Sequence, residues 1–306
     1  MNTQYQTLRR AAFLSLLVAL GLPAVVAAQP PTELREIVVH DRERGELSPG
    51  TQAPTPEQLM TAIESNTAPT TLVALLEYGE RVECHACVPL LQRAVLEHRD
   101  PEVRRISAWW LRHRIFALAP IMAQMQDVLA SDASATRRAR AAMALGEFMD
   151  PAAFTPLRDA AMGDGDSGVR AAAVTALGRL NHSGANPILS AAMRDAAVEV
   201  RRAALSQVLV VNFFRDHDAL LGALVDSDDE IRMRSARLLG TFRVAEAVPA
   251  LQGMLETDTN VRVRQAAAWA LGRIGGESAR GALRAAATVE SSSLVQNAIE
   301  VALAMR

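Results

Sequence analysis

Val169-Arg170-Ala171-Ala172-Ala173-Val174-Thr175-Ala176-Leu177-Gly178 decides the fold, because it comes back along the chain. It recurs as Ile231-Arg232 through Leu239-Gly240 and as Val263-Arg264 through Leu271-Gly272. Aligned on the arginine, the register runs through Arg104, Arg138, Arg170, Arg201, Arg232 and Arg264, with Thr71 and Gln296 at its ends. Successive anchors lie 33, 34, 32, 31, 31, 32 and 32 residues apart, a period that marks a repeat architecture.

Other positions keep the same register, and each has a packing reason. Three residues after the anchor stand small side chains, Ser107, Ala141, Ala173, Ala204, Ser235 and Ala267, which let neighbouring helices approach closely. Seven after it, Leu111, Leu145, Leu177, Val208, Leu239 and Leu271 fall on the stripe that a helix buries. Eight after it, glycine at 79, 146, 178, 240 and 272 is expected to end the helix in a left-handed residue. Pro89, Pro156, Pro187 and Pro249, with Pro120 slightly early, then open a second helix. Each unit reads as helix, turn, helix.

On these residues the units resemble HEAT repeats of the short type found in phycobilisome lyases, over about Thr70 to Arg306. The resemblance implies an all-α, right-handed solenoid of about eight helical hairpins, with the second helices lining a concave face. It also implies that the anchor arginine lies against the turn and pairs with an acid of its own or the adjacent unit. Asp100, Asp166 and Asp228 stand four residues before Arg104, Arg170 and Arg232, placed to cap the first helix and to offer that carboxylate. Thr71, Gln296 and Ile299 depart from the pattern in the first and last units, as terminal caps would.

Composition agrees with this reading and narrows the chemistry. Aromatic residues make up 4% of the 306, too few for a sandwich or barrel. All 32 basic residues are arginine, which removes P-loop, Schiff-base and Ser-x-x-Lys chemistry, since each needs an ε-amine.

The N-terminus carries an address. Arg9 and Arg10 precede an apolar run from Ala11 to Ala28, which ends in small residues, as a secretory signal peptide does. The expected domains are a signal peptide over 1–28, a flexible Pro-rich linker over 29–54 and the solenoid over 55–306. An uncleaved anchor and a twin-arginine signal are the alternatives. Cleavage after Ala28 removes two arginines from a chain of net charge -2, leaving -4. A mildly acidic chain has no pull toward nucleic acid, and the signal peptide makes the expected location periplasmic or secreted, with no membrane insertion after cleavage. Thr55, Pro56 and Gln58 spell a capped helix start.

One local feature lies outside the repeat's needs, and three others bear on chemistry or contact. Cys84-His85-Ala86-Cys87 precedes the second helix of the first full unit. In an exported chain the two cysteines form a disulfide staple, a thiol redox pair, or with His85 a metal site. Val88 occupies the place of a haem-attachment histidine. Gly165-Asp166-Ser167-Gly168 matches a protease nucleophile signature without its partners, and Asp226, Asp228 and Glu230 alternate like a calcium loop lacking its glycine. Trp109-Trp110 with Arg112 and Arg114 is either core or a partner contact. Deoxyhypusine hydroxylases, which are HEAT-like, hold iron with paired His-Glu motifs, and none of the six histidines here forms such a pair. The expected function is a non-catalytic scaffold that binds another protein, without cofactor or metal. The alternative is thiol-disulfide or metal handling at Cys84 and Cys87.

Overall fold

The computed structural model describes residues 53–65, 67–212 and 214–305. The signal peptide over 1–28 and all but the end of the linker over 29–54 lie outside the described residues. Among those described there are sixteen α-helices, three 3₁₀ turns and no strand. The chain is an α-solenoid. It divides into two compact units, one ending at Leu90 and the other beginning at Leu91.

In the first unit, helices α1 (Pro56–Glu64) and α2 (Pro69–Tyr78) pack together around Leu59, Ala62, Leu72, Leu75 and Leu76. Helix α1 starts where the sequence says it should. The Thr55 hydroxyl accepts from the Gln58 amide at 3.3 Å, and the Gln58 side chain accepts from the Thr55 amide at 2.8 Å. Two donors that a helix start leaves orphaned are thereby satisfied.

Helix α3 (Cys87–Glu97) leads into the second unit. There the first helices of successive hairpins are α4 (Pro101–Arg112), α6 (Ala135–Phe148), α8 (Ser167–Leu180), α10 (Val198–Gln207), α12 (Asp229–Phe242), α14 (Val261–Ile274) and the terminal α16 (Ser293–Ala304). The second helices are α5 (Ile115–Ser131), α7 (Phe154–Gly163), α9 (Ala185–Ala192), α11 (His217–Gly222), α13 (Val248–Thr257) and α15 (Gly276–Ala287). Each first helix packs on the next first helix, from α4 through to α16. The core is a row of side chains between them: Leu111, Leu145, Leu177, Leu239 and Leu271 are each fully buried. Every anchor arginine is the fourth residue of its helix, one turn beyond the cap. The caps are side-chain oxygens of Asp100, Ser134, Asp166, Asp228 and Asn260, which accept from amides in the first turn.

The repeat glycines do not end helices. Gly146, Gly178, Gly240 and Gly272 lie inside α6, α8, α12 and α14, two residues short of the last helical one. The left-handed positions fall three residues later, at Met149, Asn181, Arg243 and Gly275. Gly79 does follow a helix, but with φ of -80°. At Gly146, Gly240 and Gly272 the next first helix passes too close for a side chain, and at Gly178 the Gln207 side chain of the next helix fills the space. A Cβ on Gly146 would stand 2.7 Å from the Cα of Ala176, and one on Gly240 2.7 Å from the Cα of Ala270. The pattern breaks once: α10 is only ten residues long and α11 six, and Leu209 and Val210 between them are exposed.

Candidate functional site

Five of the six anchor arginines form a ladder. Nε and Nη2 of Arg138 donate to both carboxylate oxygens of Asp164, each at 2.8 Å, while its Nη1 donates to the carbonyl of Asp132 at 2.9 Å. The next rung repeats this one unit on. Arg170 grips Asp195 at 2.8 Å through both donors, and its Nη1 donates to the carbonyl of that same Asp164 at 3.0 Å. Arg201 with Asp226, Arg232 with Asp258 and Arg264 with Glu290 continue the series. Asp164, Asp195, Asp226 and Asp258 therefore each take one arginine on the carboxylate and the following arginine on the backbone carbonyl, and at Glu290 the Gln296 amide takes the carbonyl, so side chains tie each of these hairpins to the next.

The carboxylate in each rung is not the capping Asp four residues before the anchor. It is the acid 25 or 26 residues after it. Asp166 and Asp228 are occupied with helix amides, and Asp228 also holds Arg202. The rungs are bidentate and mostly shielded from water, the geometry in which an ion pair is strongest. Hydrogen bonds from Arg138, Arg170 and Arg264 hold Asp164, Asp195 and Glu290 below the usual carboxylate range. For Asp226 and Asp258 burial pushes upward, but the bonds from Arg201 and Arg232 and from backbone amides outweigh it.

Arg104 breaks the ladder. Its Nη1 reaches the carbonyls of His98 and Arg99 at 2.7 and 2.9 Å, as an anchor should, but among the described residues no carboxylate meets its other donors. Asp132, which stands where the acid belongs, is turned to Arg137 at 2.8 Å. Burial, and then the like charge of Arg140, hold Arg104 below its ordinary value. The other five anchors are raised, first by the hydrogen bond to their acid. Arg140 spends Nη1 on the carbonyl of Leu96 at 2.6 Å and likewise has no carboxylate. Both line a cavity of about 500 Å³ that spans α4, α6 and α8, floored by Ala108, Ala139, Met143 and Ala172. The other arginines on its wall are neutralised, Arg105 by Glu102 at 2.9 Å and Arg179 by Glu147. One sequence signal could have found this place: Asp132 stands six residues before the next anchor, as the rung acids do, but 28 residues after Arg104, where those acids lie 25 or 26 after theirs.

The remaining sequence-nominated residues are placed as follows. Trp110 is fully buried, and the Arg114 guanidinium lies 3.5 Å from its ring centroid, itself 7% exposed. Neither is available to a partner, which corrects their nomination as contact residues; the ring fills the core and the cation stacks on it. Arg112 is tied to the end of α6, donating to the Glu147 carbonyl at 3.2 Å. Trp109 is half-buried and packs edge-on against His113. The Cys84 and Cys87 sulfurs are within bonding distance at 2.06 Å, both side chains are buried, and His85 is exposed. No cluster of three or more His, Cys, Asp or Glu suited to a metal exists among the described residues. Ser167 opens α8 and bonds to Glu199. Asp226, Asp228 and Glu230 are each paired with an arginine.

The comparisons with known proteins agree with this geometry. The fold resembles that of Escherichia coli YibA, with a TM-score of 0.54 at 16% identity over 81% of this chain and 91% of that one. A chain in the structure of Kap95p with RanGDP matches at a TM-score of 0.56 and 13% identity, over 89% of this chain and 47% of that one. The CpcE–CpcF phycocyanin lyase complex of Nostoc sp. PCC7120 matches at 0.35 and 17%, over 80% and 98%. A comparison with curated protein sequences gives no match. The model for HEAT repeats matches residues 122–210 and 218–304, more than half of the chain, and its gap falls on the irregular α10–α11 connection. This chain belongs to the HEAT-repeat family.

Proposed function

We propose that the chain is an exported, non-catalytic scaffold that holds another protein against its stacked hairpins. The observation that carries this reading is the groove across α4, α6 and α8. Three successive units contribute to it, and it combines an apolar floor with two arginines that bond no carboxylate among the described residues. The other five anchor arginines and their acids are committed to rungs, and Asp100, Asp166 and Asp228 to caps, which hold the surface in shape. Kap95p is named in its structure as binding RanGDP, and a repeat surface here has the same kind of use.

Cys84 and Cys87 fit the same reading as a staple. They are 3% and 0% exposed, whereas a redox pair needs an accessible sulfur. A loop this small contributes about 2 kcal/mol at most. The test is capture from a periplasmic extract with the chain from Gln29 onward as bait, beside maleimide labelling of the unreduced protein. One or more retained proteins and no labelling are expected. Absence of any retained protein, together with turnover of the cysteines by a reductase, would replace the scaffold with the thiol reading.

A further inference from the structure

We propose that the groove over α4, α6 and α8 docks an acidic, apolar-flanked peptide segment of the partner protein, whose carboxylate takes the rung position left open at Arg104. This rests on the scaffold reading and names the chemistry of what the scaffold binds. The argument is one of analogy within the molecule. At five anchors the same guanidinium, on the same helical position and with the same Nη1 bond to a carbonyl, grips a carboxylate through Nε and Nη2. At the sixth the Nη1 bonds are made, and the acid of that unit, Asp132, is bonded to Arg137 instead, so the Nε and Nη2 donors meet no carboxylate among the described residues.

What surrounds the open rung selects the occupant. Arg140 is close enough for its like charge to act on Arg104, so an anion here relieves a repulsion as well as making hydrogen bonds. Asp166 caps α8, Glu102 and Glu147 are spent on Arg105 and Arg179, and Asp100, whose charge also acts on Arg104, has its oxygen on the amides of Glu102 and Val103, which leaves Arg104 and Arg140 as the arginines of this wall that bond no carboxylate among the described residues. The apolar floor of Ala108, Met143 and Ala172, in a space of about 500 Å³, fits a short run of side chains and is far larger than a lone carboxylate needs.

The test uses the chain from Gln29 onward and a fluorescein-labelled seven-residue peptide of alternating leucine and aspartate, read by anisotropy. Saturable binding that weakens with salt is expected. It should fall at least tenfold in Arg104→Gln with Arg140→Gln, and equally in Ala172→Glu, which leaves both arginines in place and puts a negative charge on the floor. Arg280→Gln, an exposed arginine far along the chain, should bind as the wild type. Equal binding of the asparagine counterpart would overturn the carboxylate assignment, and equal binding of a serine–aspartate peptide would overturn the apolar floor. Unchanged binding by both groove variants, or no binding of the acidic peptide, would overturn the site. If the groove variants still capture the wild-type set of proteins from extract, this assignment fails and the scaffold reading stands; if the wild type captures none, the scaffold reading itself fails.

Discussion

Alanine at Gly146 and alanine at Gly253 add the same methyl group to two helices, and the surroundings set opposite signs. At Gly146 the new Cβ would lie 2.7 Å from backbone and side chain of Ala176, so the helices must move apart. Overpacking of this kind costs about 1–3 kcal/mol. At Gly253, inside α13, nothing lies within 4 Å. There the better helix former is expected to stabilise by about 0.5–1 kcal/mol. Urea unfolding of the two variants checks both. Trp110→Ala is expected to cost about 3–5 kcal/mol by the same assay, as its ring is fully buried. Trp109→Ala should cost clearly less, since that ring is half-buried. The sequence alone marks these glycines as special but not why. A period tells which residues are equivalent, while the distance between two helices depends on how they cross.

Between elements, the rungs make stability sensitive to acid. The five acids titrate below their ordinary values in the folded chain, so the unfolded chain binds more protons in that range. Their contribution is whole above the unfolded carboxylate value, 3.8 for Asp226, and is lost as pH falls through the lower folded one. Asp226→Asn is expected to lose about 2 kcal/mol at neutral pH, less than a fully buried pair because the rung meets solvent at its edge. Its stability should also vary less steeply with pH below 5. A second set of unfolding curves, taken from pH 7 to 3, reads both effects. The irregular connection from α10 to α11 is the other element-scale feature. With Leu209 63% exposed and α11 too short to bury much, chymotrypsin under native conditions should cut the Leu91–Arg306 unit first between residues 208 and 216. The first helices, the caps Asp100, Asp166 and Asp228 and the buried leucines were legible from the repeat, whereas the caps Ser134 and Asn260 were not. The rung partners were not, because second helices of unequal length put the acid at 25 or 26 residues. That offset becomes visible only when the next turn is in place.

Across the Leu91–Arg306 unit, each first helix packs on the first helices beside it and on second helices of its own and adjoining hairpins, and each rung joins only adjacent hairpins. Coupling is therefore local, and damage at one end should fade with distance along the stack. The groove at α4 to α8 and the last helices are far apart in this order, which leaves the proposed binding surface independent of α14 to α16. Its residues could not be assembled from sequence, because Arg104 and Arg140 meet only through the packing of α4 on α6. Native-state hydrogen exchange of Gly272→Ala tests this most directly, since the added Cβ would press on Ala302 at 2.7 Å and disturb the α14–α16 contact. Stacked repeats predict lost protection that is largest in α16 and α14, smaller in α12 and absent in α4 and α6. An equal loss from α4 to α16 would mean one indivisible core and would contradict the repeat stack.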